Sequence, residues 1–94
     1  ISFSCYNGYT TLGQSVYAVG SVAQLGNWAV ESAVKLDPSQ YPTWSATITV
    51  PAQQDVEWKC IKRDESDPTA NLVWQSGSNN QFNSDNQTTT QGSF

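Results

Sequence analysis

The sequence predicts an all-β domain, a small antiparallel β-sandwich or open barrel of the immunoglobulin-like kind, and three observations carry that prediction. Apolar residues recur with a period of two almost throughout. Glycine, proline, asparagine and aspartate punctuate the chain roughly every ten residues, as in sandwiches and barrels. No stretch holds apolar residues at i, i+3, i+4 and i+7 for three helical turns. The 94 residues make one domain, residues 1–94, with a modest core and no internal linker or repeat.

The elements follow in order. Ile1, Phe3 and Cys5 alternate onto one face of a first strand. Ser15 to Val19 is rich in β-formers and bracketed by Gly13 and Gly20. Trp44, Ala46, Ile48 and Val50 alternate with Ser45, Thr47 and Thr49 between Pro42 and Pro51, which cannot supply ladder donors. In Val56 to Lys62, Trp58, Cys60 and Lys62 face away from Glu57, Lys59 and Ile61. The loop Asp64-Glu65-Ser66-Asp67-Pro68 separates that strand from Asn71 to Gln75. Thr88-Thr89-Thr90 suits an edge strand, and the polar terminal stretch Gln81 to Phe94 is expected to be mobile at its end.

Composition excludes several functions. Net charge is −4 with four basic residues, which argues against nucleic acid, whose binding rests on phosphate neutralisation. No apolar run approaches the roughly 18 residues that span a bilayer, and no signal peptide is recognisable. Charged residues are 13% of the chain, so the polar surface is Ser, Thr, Asn and Gln rather than Lys and Glu. That composition points towards a secreted protein.

Cys5 and Cys60 form no CxxC pair and no histidine accompanies them, which argues against zinc. A disulfide and two buried thiols both remain open. If joined, the pair closes a loop of about 55 residues, worth roughly 4 kcal/mol in the chain-entropy model.

Catalysis has little to work with. Without histidine the usual general base and the Ser-His and Cys-His pairs are missing. Two carboxylates among Glu31, Asp37, Asp55 and Glu57 could in principle hydrolyse a glycoside, but a domain this small seldom has the deep cleft that raises the acid's pKa. Solvated carboxylates are the expectation. Asp64, Glu65 and Asp67 lack the spacing of a calcium loop and read as a hairpin turn. No cofactor and no metal are expected. Asn86-Gln87-Thr88 is a glycosylation sequon only in a source that glycosylates.

The tryptophans divide into two pairs. Trp44 lies on the apolar face of a regular strand, and Trp58 faces the core or its rim. Trp28 closes Leu25-Gly26-Asn27-Trp28, and Trp74 precedes Gln75-Ser76-Gly77-Ser78-Asn79-Asn80. Indoles in such polar loops are well placed to lie flat against a ligand, and the amides beside them suit a hydroxyl-rich sugar ring.

Taken together, Gly13-Gln14-Ser15-Val16-Tyr17-Ala18-Val19-Gly20-Ser21, Gln24-Leu25-Gly26-Asn27-Trp28, Tyr41-Pro42-Thr43-Trp44, Val56-Glu57-Trp58-Lys59-Cys60-Ile61-Lys62 and Val73-Trp74 resemble the family-20 starch-binding domains. The resemblance runs from about Phe3 to about Thr90, and is nearest to such modules at the C-terminus of bacterial maltotetraose-forming exo-amylases. It implies a non-catalytic module that binds starch, amylose, maltooligosaccharides and cyclodextrins, and that is joined in one chain to a catalytic amylase domain. It further implies a first site in which Trp28 and Trp74 stack on glucose units while Lys59, Asn79 and Glu57 bond hydroxyls. A second site of two tyrosines is implied at Tyr41 and at the position here held by Leu12; Tyr9 is the neighbouring aromatic that could substitute. The module is expected to act as a monomer. The competing readings are an immunoglobulin-like spacer or interaction domain and a small glycosidase.

Overall fold

A computed structural model describes all residues, 1–94. It consists of two β-sheets with two short 3-10 segments, Ala23–Trp28 and Val30–Ser32. The strands are β1 (Ser2–Tyr6), β2 (Gln14–Gly20), β3 (Val34–Lys35), β4 (Asp37–Gln40), β5 (Thr43–Thr47), β6 (Asp55–Asp64), β7 (Val73–Trp74), β8 (Asn80–Asn83) and β9 (Thr89–Ser93). One sheet has the order β4-β5-β1-β9. The other has the order β3-β2-β6-β7, and β8 shares with β7 the far edge of β6. The all-β sandwich expected from the sequence is thus the architecture present.

Between the sheets lie Phe3, Cys5, Val16, Ala18, Leu25, Leu36, Trp44, Val56, Trp58, Cys60 and Phe82. Apart from Leu25 of the 3-10 segment and Leu36 between β3 and β4, they are the inward half of each two-residue alternation, so most of the core follows from the period of the strands. Phe3 meets Trp58 edge-on at 4.9 Å between ring centroids and Phe82 at 5.5 Å. Trp58 Nε1 donates to the Thr90 hydroxyl and Trp44 Nε1 to the Gly8 carbonyl, so both buried indoles are satisfied. Cys5 and Cys60 are joined in a disulfide that ties β1 to β6 across the sandwich. That resolves the choice the sequence left open.

A smaller cluster covers the outer face of the second sheet. Tyr17, Val19 and Ile61 are buried there with Val30, Ala33 and Leu72 against them. Burial on both faces explains why Ser15 to Val19 shows no clean apolar–polar alternation. Arg63 roofs the cluster: its guanidinium lies 3.8 Å from the Tyr17 ring centroid and its Nε donates to the Val30 carbonyl. This pins the connection carrying Trp28 onto the sheet carrying Trp74.

Four expectations change. The sheets are not wholly antiparallel, because β9 runs parallel to β1 in register from Ser2 opposite Thr89 to Tyr6 opposite Ser93. The C-terminal end is not loose: β9 is stitched to β1, and the Phe94 N–H continues the ladder to the Tyr6 carbonyl. The strand at Trp44 ends at Thr47 rather than Val50, although Ile48 stays buried and bonds back to Ile1. The strand sought at Asn71 to Gln75 is only Val73–Trp74.

Candidate functional site

Trp28 is presented by a backbone device. Leu25 is fully buried in the core and anchors the 3-10 segment. The next three residues all have positive φ: Gly26 at 81°, Asn27 at 49° and Trp28 at 67°. A left-handed run turns the chain sharply and throws the indole outward, at a strain of roughly 1–2 kcal/mol for each residue with a Cβ. Glycine is required at its start, since a Cβ on Gly26 would lie 2.7 Å from the Ser32 carbonyl oxygen. Two hydrogen bonds hold the turn, Asn27 N–H to the Val22 carbonyl and Ala29 N–H to the Gly26 carbonyl.

Trp74 stands on β7, directly opposite Ile61 of β6. Paired residues share a face, so its indole projects on the outer side of the sheet. Its ring lies 6.4 Å from that of Trp28, centroid to centroid, with the planes inclined at 37°. Trp28 is 36% and Trp74 40% exposed, so each ring keeps surface open to water. The two indoles expected to act together are brought together.

The other three residues expected at this site lie close by on β6 and the loop after β7. Glu57 and Lys59 alternate outward on β6 while Val56, Trp58 and Cys60 point inward. Asn79 Nδ2 donates to Glu57 Oε1 at 3.2 Å. Lys59 Nζ donates to the Gln75 carbonyl at 2.9 Å and to the Gly77 carbonyl. Two of the three ammonium protons thus brace the loop that follows Trp74, which leaves one for any ligand.

The base of that loop is closed by two of the amides that the sequence offered as sugar contacts, Gln75 and Asn80, which are instead spent on each other. Gln75 Nε2 donates to Asn80 Oδ1 at 2.8 Å, and Asn80 Nδ2 donates to Gln75 Oε1 at 2.9 Å. Gln75 Oε1 also accepts the backbone N–H of Cys60, while the Gln75 N–H donates to the Cys60 carbonyl. Gln75 is buried, and the cystine and Gly92 lie against this clasp. The signal available was the alternation itself: if Trp74 faces out, Gln75 faces in, and a buried glutamine demands partners.

Tyr9 and Tyr41 meet at 6.1 Å with their planes at 89°. Tyr41 Oη accepts the Thr10 N–H at 2.9 Å. Both rings are exposed, and Leu12 stands at its loop tip with its side chain wholly in water. The residue that joins Tyr41 is therefore Tyr9.

Glu31, Asp37, Asp55 and Glu57 are all exposed. Asp37 accepts the Ser39 N–H, and Asp55 accepts from Asn83 Nδ2 at 2.8 Å. In the loop after β6, Asp64 bonds Asn71, Asp67 bonds Thr69, and Glu65 bonds Ser15 and Lys35. Those carboxylates hold turns and strands together, as expected for a hairpin connection.

A tilted pair of exposed aromatic plates flanked by amide and carboxylate groups on a β-sandwich defines a carbohydrate-binding module. The family model described as starch binding domain matches residues 1–93, and the chain belongs to that family. A cyclomaltodextrin glucanotransferase of Klebsiella oxytoca is 58% identical over 94 residues, all of this chain and 14% of that protein. A glucan 1,4-alpha-maltotetraohydrolase of Roseateles saccharophilus is 54% identical over 95 residues, all of this chain and 17% of that protein. The chain thus spans about a sixth of these curated relatives. The solved family 20 module of the maltotetraose-forming amylase from Pseudomonas saccharophila STB07 superposes with a TM-score of 0.93 at 54% identity, covering 99% of this chain and 97% of that one. Members of the family are non-catalytic carbohydrate-binding modules found attached to amylase catalytic domains.

Proposed function

We propose that residues 1–94 act as one secreted, monomeric binding unit that lays successive glucose units of an α-1,4-glucan on Trp28 and Trp74 and so tethers an attached amylase to starch granules. The observation that carries this reading is the open indole pair, 6.4 Å apart and tilted by 37°. The axial C–H groups of α-glucopyranose are slightly positive and suit the electron-rich face of indole. Glu57, Asn79 and the free proton of Lys59 supply rim contacts to hydroxyls. The inclination of the plates suits a curved chain and disfavours a flat one such as cellulose.

By analogy with bases stacked on aromatic side chains, one ring contributes about 1–3 kcal/mol. Two rings with a few solvent-facing hydrogen bonds then give about 6–8 kcal/mol net of association costs, or roughly 1–40 μM. That affinity becomes useful when a tethered catalytic domain is held at high local substrate concentration. Maltooligosaccharides and cyclodextrins present the same ring faces and serve as soluble ligands. The exposed Tyr9–Tyr41 pair favours a second, weaker contact, and two molecules of β-cyclodextrin bound per chain rather than one would establish it.

Trp74→Ala is the cleaner test, because Trp74 sits on a regular strand whereas Trp28 has positive φ. The expected result is a tenfold or greater loss of β-cyclodextrin affinity by about 1.4 kcal/mol or more, with thermal unfolding nearly unchanged. A lowered melting temperature with unaltered affinity would show the indoles to be structural. A spacer domain would pass through a column of granular starch without retention.

A further inference from the structure

Along β6, Asp55, Glu57, Lys59 and Ile61 all point outward. Ile61 is paired with Trp74, Glu57 with Gln81 and Asp55 with Asn83. One face of the sheet therefore carries the Trp74 indole, then Lys59, then a two-by-two block of Glu57, Gln81, Asp55 and Asn83. That block walls an open concavity of about 520 Å³ lined by Asp55, Glu57, Gln81, Asn83 and Gln87, together with Val56 and Phe82, whose side chains are buried in the core. Five of these residues carry polar side chains, so the groove offers donors and acceptors rather than an apolar surface.

We propose that this concavity is a further glucan subsite, continuous with the indole pair through Glu57, and that it receives the sugar units beyond those stacked on the tryptophans. The inference rests on the tryptophan reading. Glu57 belongs to both regions, since its Oε1 accepts from Asn79 while its carboxylate forms a wall of the concavity. Gln81 offers one acceptor and two donors from an exposed side chain with no internal hydrogen bond. Asp55 and Asn83 hold one another at 2.8 Å, which orients the remaining carboxylate oxygen and amide proton without consuming them. Carboxylate and amide groups at the spacing of a β-ladder present the alternating acceptors and donors that vicinal hydroxyls need. From Ile61 back to Asp55 the strand covers about 20 Å. A disaccharide on the indoles cannot span that length, whereas a longer oligosaccharide can.

The chemistry predicts a dependence on chain length. The intact 94-residue chain would be titrated with maltose and with maltoheptaose, alongside Gln81→Ala and an Asp55→Ala, Asn83→Ala double variant. The exposed Gln81 side chain makes no internal hydrogen bond, so its removal should leave the fold undisturbed. Each variant should weaken maltoheptaose binding about threefold to tenfold, the worth of one or two hydrogen bonds, and leave maltose binding unchanged. Unchanged maltoheptaose affinity in both variants would overturn the proposal. So would an equal loss for both sugars, because the groove would then act through the indole site and not as a subsite. Trp74→Ala separates the two ideas: if it leaves maltose binding intact, the tryptophan reading fails by itself, whatever the groove variants do.

Discussion

Replacing Gln75 with alanine removes three side-chain hydrogen bonds at once and leaves the backbone N–H of Cys60 without its acceptor. Cys60 is fully buried, so no water can take over. An orphaned buried donor costs about 1–3 kcal/mol, and the lost amide pair with the half-buried Asn80 adds about 1 kcal/mol. The sum is about 2–4 kcal/mol, a large share of the stability of a domain this size. For such a domain each kcal/mol moves the melting temperature by about 4–8 °C, so a fall of roughly 10–30 °C is expected by calorimetry. Asn80→Ala should cost less, since it leaves Gln75 bonded to Cys60. The double variant should be about 1 kcal/mol or more better than the sum of the singles, as is usual for partners in one network. Because the clasp lies beneath the Asn79 loop and next to Trp74, β-cyclodextrin affinity measured well below the new melting point should also fall. A melting temperature within about 3 °C of the wild type would refute the reasoning, since it would mean that the Cys60 donor was never dependent on Gln75.

Three further outcomes follow from the structure. Reducing or removing the Cys5–Cys60 bond frees a loop with a sequence separation of 55 and should cost about 4 kcal/mol, read as the shift in urea midpoint between oxidised protein and the Cys5→Ala, Cys60→Ala variant. Gly26→Ala places a Cβ against the Ser32 backbone at φ 81° and should both destabilise the chain by more than about 1 kcal/mol and displace Trp28, seen as a changed tryptophan emission spectrum. The Glu65 carboxyl is held below its ordinary pKa by its hydrogen bond from Lys35, then that from Ser15, and the Asp67 carboxyl by the Thr69 backbone N–H and hydroxyl. Groups with lowered folded values stabilise above their unfolded pKa, and that contribution is lost as pH falls through the folded value. Glu65→Gln and Asp67→Asn should therefore flatten the acid limb of a plot of stability against pH. Lys35, raised by its hydrogen bond to Glu65, carries the opposite sign, and its share is lost only as pH rises past the ordinary lysine range.

The parts of the fold that could be read in the chain are those where one side of a strand is apolar. The β1 and β6 alternations carry their burial pattern openly, and Trp44 and Trp58 fall in the core as their neighbours dictate. What could not be read lacks that contrast. All four residues of β4 are exposed, and three of the four residues in β8 are polar and none of those three is fully buried. Their identity as strands comes from partners, not from their own side chains. Parallel pairing of β9 with β1 depends on the path of the whole chain, which no local pattern encodes. The site divides in the same way. Polar, glycine-bearing surroundings marked Trp28 and Trp74 as unusual, but nothing in the local pattern shows that Asn27 and Trp28 turn left-handed, and the Gln75–Asn80 clasp is fixed only by the path that brings Cys60 of β6 against Gln75. The aromatic partner of Tyr41 was ambiguous for the same reason: Leu12 and Tyr9 lie on one connection, and only its path decides which meets the ring.

The two indoles are held by opposite means, and that difference bears on how the proposed site would work. Trp74 sits on a ladder whose backbone bonds are extended by a buried amide clasp, with Lys59 bracing the loop beyond it. Trp28 projects from a left-handed turn anchored below by Leu25 and pressed against Ser32. Strain in such a turn persists only when its surroundings over-determine it. Here they do, because the Arg63 roof and the Leu25 plug fix both ends of the connection. The backbone beneath each plate is therefore set during folding, which lowers the ordering cost of binding. The 37° inclination is present in the fold without a ligand. On that argument, selectivity for a curved glucan would be lost by loosening the frame even with both tryptophans present. Gly26→Ala and Gln75→Ala should accordingly narrow the preference for α- over β-linked oligosaccharides, whereas Trp74→Ala should weaken α-linked binding outright.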